Sequence, residues 1–261
     1  MHYAELIAKV EDTIRTAVRQ CYPMSWDEDH ITYLITDYLA KLDKIEVTGL
    51  HRPFHIAWDA RKFRGPTEKA FGDLGILVKL TSWDGEIVEG FALLEAKKRP
   101  LDSTSFTAVR KKQLTTIDRN APHSRLLLYD HIDITEFSDN ISMMRKDIGS
   151  RPLFDLLFSR EENWLPFTQA VTVPVNLALT VGTYRTSLYK YSLPLSVQLC
   201  GRYFRGLDLE FDQKIIKQAK GFIDRYGGPR ILLLVGIAPT AEVATSSREI
   251  NDNNYTLLHD R

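Results

Sequence analysis

Long apolar runs are missing from this sequence. The longest, Ile231–Pro239, falls well short of the ~20 residues that a bilayer-spanning helix requires. The opening residues, MHYAELIAKVEDTIR, interrupt their apolar positions with Glu5, Lys9, Glu11 and Asp12, so no secretion signal is expected and a cytoplasmic location is. Cysteine is scarce. Cys21 and Cys200 have neither a close partner nor metal-ligand spacing, which removes a disulfide scaffold and leaves two reduced, buried thiols. Net charge is absent, with 34 Lys and Arg balancing 34 Asp and Glu, so a surface basic all over is excluded. There is no dinucleotide-binding glycine fingerprint and no glycine-rich loop closed by lysine, and nicotinamide and ATP chemistry lose support accordingly. His30, His51, His55 and His123 show neither zinc spacing nor pairing with a nucleophile. A helix-turn-helix reader, an internal repeat and a low-complexity linker are also lacking.

What is present suits an ordinary soluble globular protein. Apolar residues make up 44% and charged residues 26% of 261, enough chain to bury a sizeable core. Leu6, Ile7, Val10, Ile14 and Val18 recur at helical spacing and predict a helix over 3–21. Ser25-Trp26-Asp27-Glu28 fits a capping box that starts a second helix at Ser25, with Ile31, Leu34, Ile35, Tyr38 and Leu42 as its apolar stripe. Residues 45–60, short and mixed with Pro53 among them, read as strand or loop. Leu74, Ile76, Val78 and Leu80 alternate, Asp84-Gly85 supplies a turn, and Ile87–Lys97 resumes a mainly apolar run, which together predict an antiparallel hairpin. Phe106–Arg119 is expected to be a helix, Arg125–Tyr129 a short strand, and Asp130–Asp147 a loop and a further helix. Alternating strands and helices favour an α/β layer architecture. Beyond about residue 160, Val171–Val181 and Tyr191–Phe204 read as β-rich, Asp212–Tyr226 as a helix, and Arg230–Gly236 as a buried strand after the break at Gly227-Gly228-Pro229. The last twenty or so residues are polar, expected to be frayed or docked on a partner. The chain accordingly divides into a core of residues 1–155 and a C-terminal extension of 156–261, either continuous with the same sheet or partner-binding.

The charge is unevenly spread. Residues 51–125 hold fourteen Lys and Arg against nine Asp and Glu, in clusters at Arg61-Lys62 with Arg64, at Lys97-Lys98-Arg99 and at Arg110-Lys111-Lys112. Each is either a solvated face or a phosphate contact.

One stretch carries chemistry. On a strand Glu95 and Lys97 share a face, together with Leu93 and Phe91. Asp73 lies twenty-two positions before Glu95 with the Asp84-Gly85 turn midway, so the hairpin returns Asp73 to the Glu95 end. Two carboxylates held close in a partly apolar site raise each other's pKa unless a cation intervenes. Mg²⁺ suits such a site, because it takes a couple of carboxylate oxygens plus waters and a substrate phosphate. The other reading is a strand-end ion pair worth about 0–1 kcal/mol, which leaves the wholly apolar approach from Gly90 to Leu94 unaccounted for. Glu28, three, seven and fourteen residues before Ile31, Ile35 and Leu42, either faces the sheet as a third acid or closes the capping box with Ser25. Gln113, between Val109 and Ile117 at four-residue spacing, either faces the site or is a core amide bonded to backbone. Glu68 is either an outer acid or a solvated loop carboxylate.

The pattern of Asp73 followed by Glu95-x-Lys97 at the end of the next strand resembles the PD-(D/E)XK phosphodiesterase superfamily, over about residues 25–130. Gly72 stands where that motif has proline. The resemblance implies a restriction-endonuclease-like mixed central sheet flanked by helices and a metal-dependent nuclease acting on DNA. It further implies Asp73, Glu95 and Glu28 as ligands of Mg²⁺, with Mn²⁺ as a substitute, Lys97 as the water-positioning and charge-stabilising group, and Gln113 facing the metal site. Lys98, Arg99, Arg110, Lys111 and Lys112 would then meet nucleic acid. A bacterial restriction or anti-phage setting is also implied, with a helicase, another protein or a second protomer as partner. An inactive nuclease-fold subunit that binds nucleic acid or protein is the alternative.

Overall fold

The computed structural model describes residues 1–42, 44–48, 52–64, 72–106, 108–121, 123–137, 167–223, 228–245 and 249–258. His51, Glu68, Gly227 and the helix expected after Asp130 lie outside them, the last from residue 138 onward. The elements are α1 (Tyr3–Cys21), α2 (Glu28–Ala40), β1 (Ile45–Val47), β2 (Phe54–Phe63), β3 (Leu74–Thr81), β4 (Ile87–Lys98), α3 (Lys111–Asn120), β5 (Arg125–Ile134), β6 (Thr168–Pro174), α4 (Val175–Val181), β7 (Leu193–Pro194), α5 (Gln213–Ala219), β8 (Ile231–Ala238), α6 (Ala241–Thr245) and β9 (Tyr255–Leu257). Among the described residues no helix is long and apolar enough to cross a membrane.

The architecture is mixed α/β. A central sheet runs β1-β2-β8-β3-β4-β5-β6-β7, with β9 paired to β2, and helices flank it. β3 and β4 form the predicted antiparallel hairpin, Leu74 opposite Leu94 and Thr81 opposite Ile87. β4 then runs parallel to β5, and β3 parallel to β8. All eight residues of β8 are buried, as a strand covered on both faces requires. β8 comes from the end of the chain yet sits between β2 and β3, so strands from either side of residue 155 interleave in one sheet.

α1 packs against α2, β5 and β6, burying Leu6, Val10, Ile14 and Cys21 along one stripe, and α2 packs over β2, β4 and β8. α2 starts later than expected. Its N-cap is Asp27, whose carboxylate accepts from the backbone N–H of Asp29 and His30. Trp26 is buried and donates its indole N–H to the Arg99 carbonyl at 2.8 Å, which holds Ser25 in the preceding turn and delays the helix.

Other expectations are corrected. α3 begins at Lys111 instead of Phe106, because Ser105 bridges to Arg185 and the Phe106 N–H bonds to the Tyr184 carbonyl, keeping that segment extended. Helix α4 replaces the strand expected beyond Pro174, and residues 195–205 are helical turns instead of a strand. Most of residues 193–204 are buried whichever way they point, so their apolar spacing carried no helical period. Among its described residues the C-terminal extension is therefore mixed, with β6, β7, β8 and β9 alternating with helical segments. The tail docks on the chain itself: β9 pairs with β2, and the buried Tyr255 donates its hydroxyl to the Ala219 carbonyl at 2.7 Å.

Candidate metal centre

The hairpin register decides the site. Leu74 faces Leu94 across the β3–β4 ladder, so Asp73 stands beside the Glu95-Ala96 backbone. Its Oδ2 accepts the Ala96 N–H at 2.9 Å. Gly72 makes this approach possible, since a β-carbon there would lie 2.6 Å from the Leu94 carbonyl oxygen. Proline carries such a carbon. The absence of the motif's proline therefore has a local cause.

Glu95 and Lys97 are the floor of the site, with side chains only 3% and 8% exposed; Asp73 and Glu28 form its rim, at 22% and 23%. The Glu95 Oε1 accepts from Lys97 Nζ at 2.6 Å and from Gln113 Nε2 at 2.7 Å. Among the described residues Gln113 is thus bonded to the acid and not to backbone. Glu28 is the first residue of α2, not a member of a capping box with Ser25. Its carboxylate is free to turn to the sheet, where Oε1 accepts the Lys98 N–H at 3.1 Å and Oε2 lies 3.5 Å from Lys97 Nζ. All three acids meet at Lys97, whose Nζ is also 3.8 Å from Asp73 Oδ2 and 2.6 Å from the Ala96 carbonyl.

Electrostatics follow from this crowding. Burial, and then the Glu95 charge, push the Asp73 carboxyl up to about 7, with Lys97 and the Ala96 N–H only partly offsetting them. Burial alone would lower the Lys97 pKa, but Glu95 and Asp73 outweigh it and hold the ammonium above its ordinary range. One cation among three carboxylates leaves the cluster short of positive charge.

Among the described residues no group of three His, Cys, Asp or Glu side chains is arranged to hold a metal ion; the three acids instead share Lys97 Nζ. The donor types are those that a hard divalent cation takes: three carboxylates and a backbone carbonyl, oxygen atoms only. Among the described residues Asp73 Oδ1 and Glu95 Oε2 receive no hydrogen bond, so each of these acids keeps an oxygen for further coordination.

The basic residues divide. Arg110, Lys111 and Lys112 are exposed at the start of α3, one turn from Gln113, with no acid in that first turn. Cations at a helix N-terminus oppose the helix dipole, a placement that an arriving phosphate would reverse. Lys98 is half-buried and donates to the Trp26 carbonyl. Arg99 departs from a surface role: it is buried, donates Nε to Asp130 Oδ1 at 2.8 Å, and its Nη1 reaches the Ser103 carbonyl. Arg61, on β2, pairs with Asp59 of the same strand and with Asp252 in the turn before β9, with β8 and β3 between β2 and β4.

Sequence reasoning missed the strap that places Glu28. Tyr189 donates to Asp130 Oδ2 at 2.6 Å, Asp130 holds Arg99, the Arg99 carbonyl holds Trp26, and two residues later comes Glu28. Asp130 at the end of the apolar run Arg125–Tyr129 was the available signal. Charged residues at the ends of buried parallel strands are where α/β sheets place their ligands. No family model matches this chain, and neither does any curated protein or solved structure.

Proposed function

We propose that this chain is a divalent-metal-dependent phosphodiesterase of the PD-(D/E)XK kind, acting on DNA, with Asp73, Glu95, Glu28 and the Ala96 carbonyl as the groups that hold Mg²⁺ or Mn²⁺. The observation that carries the reading is the convergence of Asp73, Glu95 and Glu28 within 4 Å of a single buried Lys97 nitrogen, at the end of a hairpin strand. The mixed sheet with β4 and β5 parallel, joined through α3, supports a restriction-endonuclease-like fold.

When bound, the ion supplies a water of lowered pKa and a Lewis acid for the phosphate. The chain's own residues do the rest. Asp73 and Glu28 hold the accessible side of the pocket, and Gln113 fixes the Glu95 carboxylate. The Lys97 ammonium orients the attacking water and balances charge as it builds on the phosphate oxygens. Arg110, Lys111 and Lys112 offer charge to the backbone of the substrate beside the site.

The test is incubation of circular and linear DNA with the protein and with its Asp73→Asn and Lys97→Ala variants, in Mg²⁺ and in EDTA. Cleavage in Mg²⁺ alone is expected, abolished by Asp73→Asn and slowed on the order of 10²–10³-fold by Lys97→Ala, as for loss of one preorganised charge-stabilising group. Equal cutting by all three proteins sinks the reading.

A second reading, a nuclease-fold subunit that binds nucleic acid or protein without turnover, draws on one observation. The buried ammonium already satisfies the acids in part, as a metal-free descendant of such a site would require. Absence of any thermal shift with Mg²⁺ would favour it; a ligand at a hundred times its Kd should stabilise by about 2.7 kcal/mol.

A further inference from the structure

Lys97 fills the place toward which every acid of the site points. Four oxygens surround its Nζ: Glu95 Oε1 and the Ala96 carbonyl, each at 2.6 Å, Glu28 Oε2 at 3.5 Å and Asp73 Oδ2 at 3.8 Å. They come from α2, from the residue before β3 and from β4, so the ammonium links three separate parts of the chain. It is buried, and no carboxylate trio stands open beside it among the described residues.

A divalent cation drawing on the same oxygens while the ammonium stayed would lie within a few ångströms of a like charge, shielded from water, where repulsion is strong. An ammonium that left would give up all four oxygens together. We infer that Lys97 and a divalent cation are mutually exclusive occupants of this pocket: the ammonium is a built-in plug, and metal binding includes its departure. The inference rests on reading the pocket as a divalent site and adds how that site is regulated.

Three consequences follow from one geometry. Native metal affinity is weaker than the oxygen set alone would provide. Removing the charge at position 97 strengthens it. Metal binding turns Lys97 from a sequestered amine into an accessible one, available to a phosphate only after the ion has entered.

The test uses the full chain and its Lys97→Met and Lys97→Gln variants, titrated calorimetrically with Mn²⁺ in the absence of nucleic acid. Each variant should bind roughly tenfold or more tightly than the native protein, a factor equivalent to about 1.4 kcal/mol. Equal or weaker binding by folded variants overturns the inference, as does absence of binding by all three proteins. Should neither variant fold, the native protein decides the matter. Lys97, mapped by mass spectrometry after brief acetylation, should be labelled several-fold more in saturating Mn²⁺ than in EDTA, and unchanged or reduced labelling overturns the plug. Neither readout involves strand cleavage. Competitive metal binding without cleavage would sink the phosphodiesterase reading and leave the plug standing, whereas Mn²⁺-dependent cleavage with unaltered affinity and labelling would do the reverse.

Discussion

Gln113 reaches from α3 to Glu95 on β4 and donates its amide to the same oxygen, at 2.7 Å, that Lys97 holds at 2.6 Å. This oxygen is doubly fixed, so the orientation of the carboxylate plane is set by a helix that follows the strand in sequence. Partners that orient a ligand typically matter 10–100-fold in metal affinity or activity. Gln113→Leu should therefore weaken Mn²⁺ binding, measured by titration, by roughly that factor. Its unfolding free energy should change by only about 1 kcal/mol.

Gly72→Ala tests the close approach of Asp73 to β4. The added methyl would meet the Leu94 carbonyl oxygen at 2.6 Å, and that oxygen belongs to sheet backbone with little room to yield. Overpacking of this kind costs about 1–3 kcal/mol. Urea unfolding should show a loss of that size, with the Asp73–Ala96 hydrogen bond displaced and metal affinity reduced in the same variant.

Buried carboxyls give the stability of the protein a pH dependence of definite sign. Burial pushes Glu11 up to about 7, partly offset by the Ser196 hydroxyl, which donates to it at 2.6 Å. In the unfolded chain the group titrates near 4.3. Between those values the folded state holds the extra proton, so this contribution is complete below the unfolded pKa and is lost as pH rises toward 7. Burial would also raise Asp208, but Arg202 and then Gln198 override it and hold the carboxyl down to about 2. Its contribution is present above the ordinary aspartate range and disappears as pH falls toward 2. Thermal melts between pH 5 and 8 should fall for the native protein and fall less steeply for Glu11→Gln, in which the raised Asp73 carboxyl still contributes. The variant should be the more stable protein above pH 7, by up to roughly 3 kcal/mol.

The three cations at the start of α3 should act on binding and not on folding. Replacing Arg110, Lys111 and Lys112 together with glutamine should lower the slope of log affinity against log salt for duplex DNA, by roughly 0.9 for each phosphate that is no longer neutralised. Filter binding with Ca²⁺ in place of Mg²⁺ measures it. The melting temperature should hold or rise, because cations at a helix N-terminus oppose the dipole.

Much of the site was legible because short-range patterns specify it. Alternation on either side of Asp84-Gly85 determined a hairpin, its turn determined which ends meet, and strand periodicity put Glu95 and Lys97 on one face. The stripe of α1 and the apolar run of β8 were equally plain, since each is periodic or continuous over a whole element. The segments beyond Pro174 were misread for the converse reason: residues buried on every side show no period to distinguish helix from strand.

By itself, then, the sequence determined helix α1, the β3–β4 hairpin and strand β8, the pairing of Asp73 with Glu95-x-Lys97, and the position of Gln113 on the following helix. Tertiary structure alone decided that Trp26, held by the Arg99 carbonyl, would shift the cap of α2 to Asp27 and free Glu28 for the site. It also decided that β8, more than 150 residues beyond the start of β3, would lie beside that strand, and that Lys97 would face inward among the acids instead of outward to solvent. These outcomes depend on contacts between segments distant in sequence, whose energies are set by burial and by charges that meet only once the sheet is assembled. No window along the chain contains them.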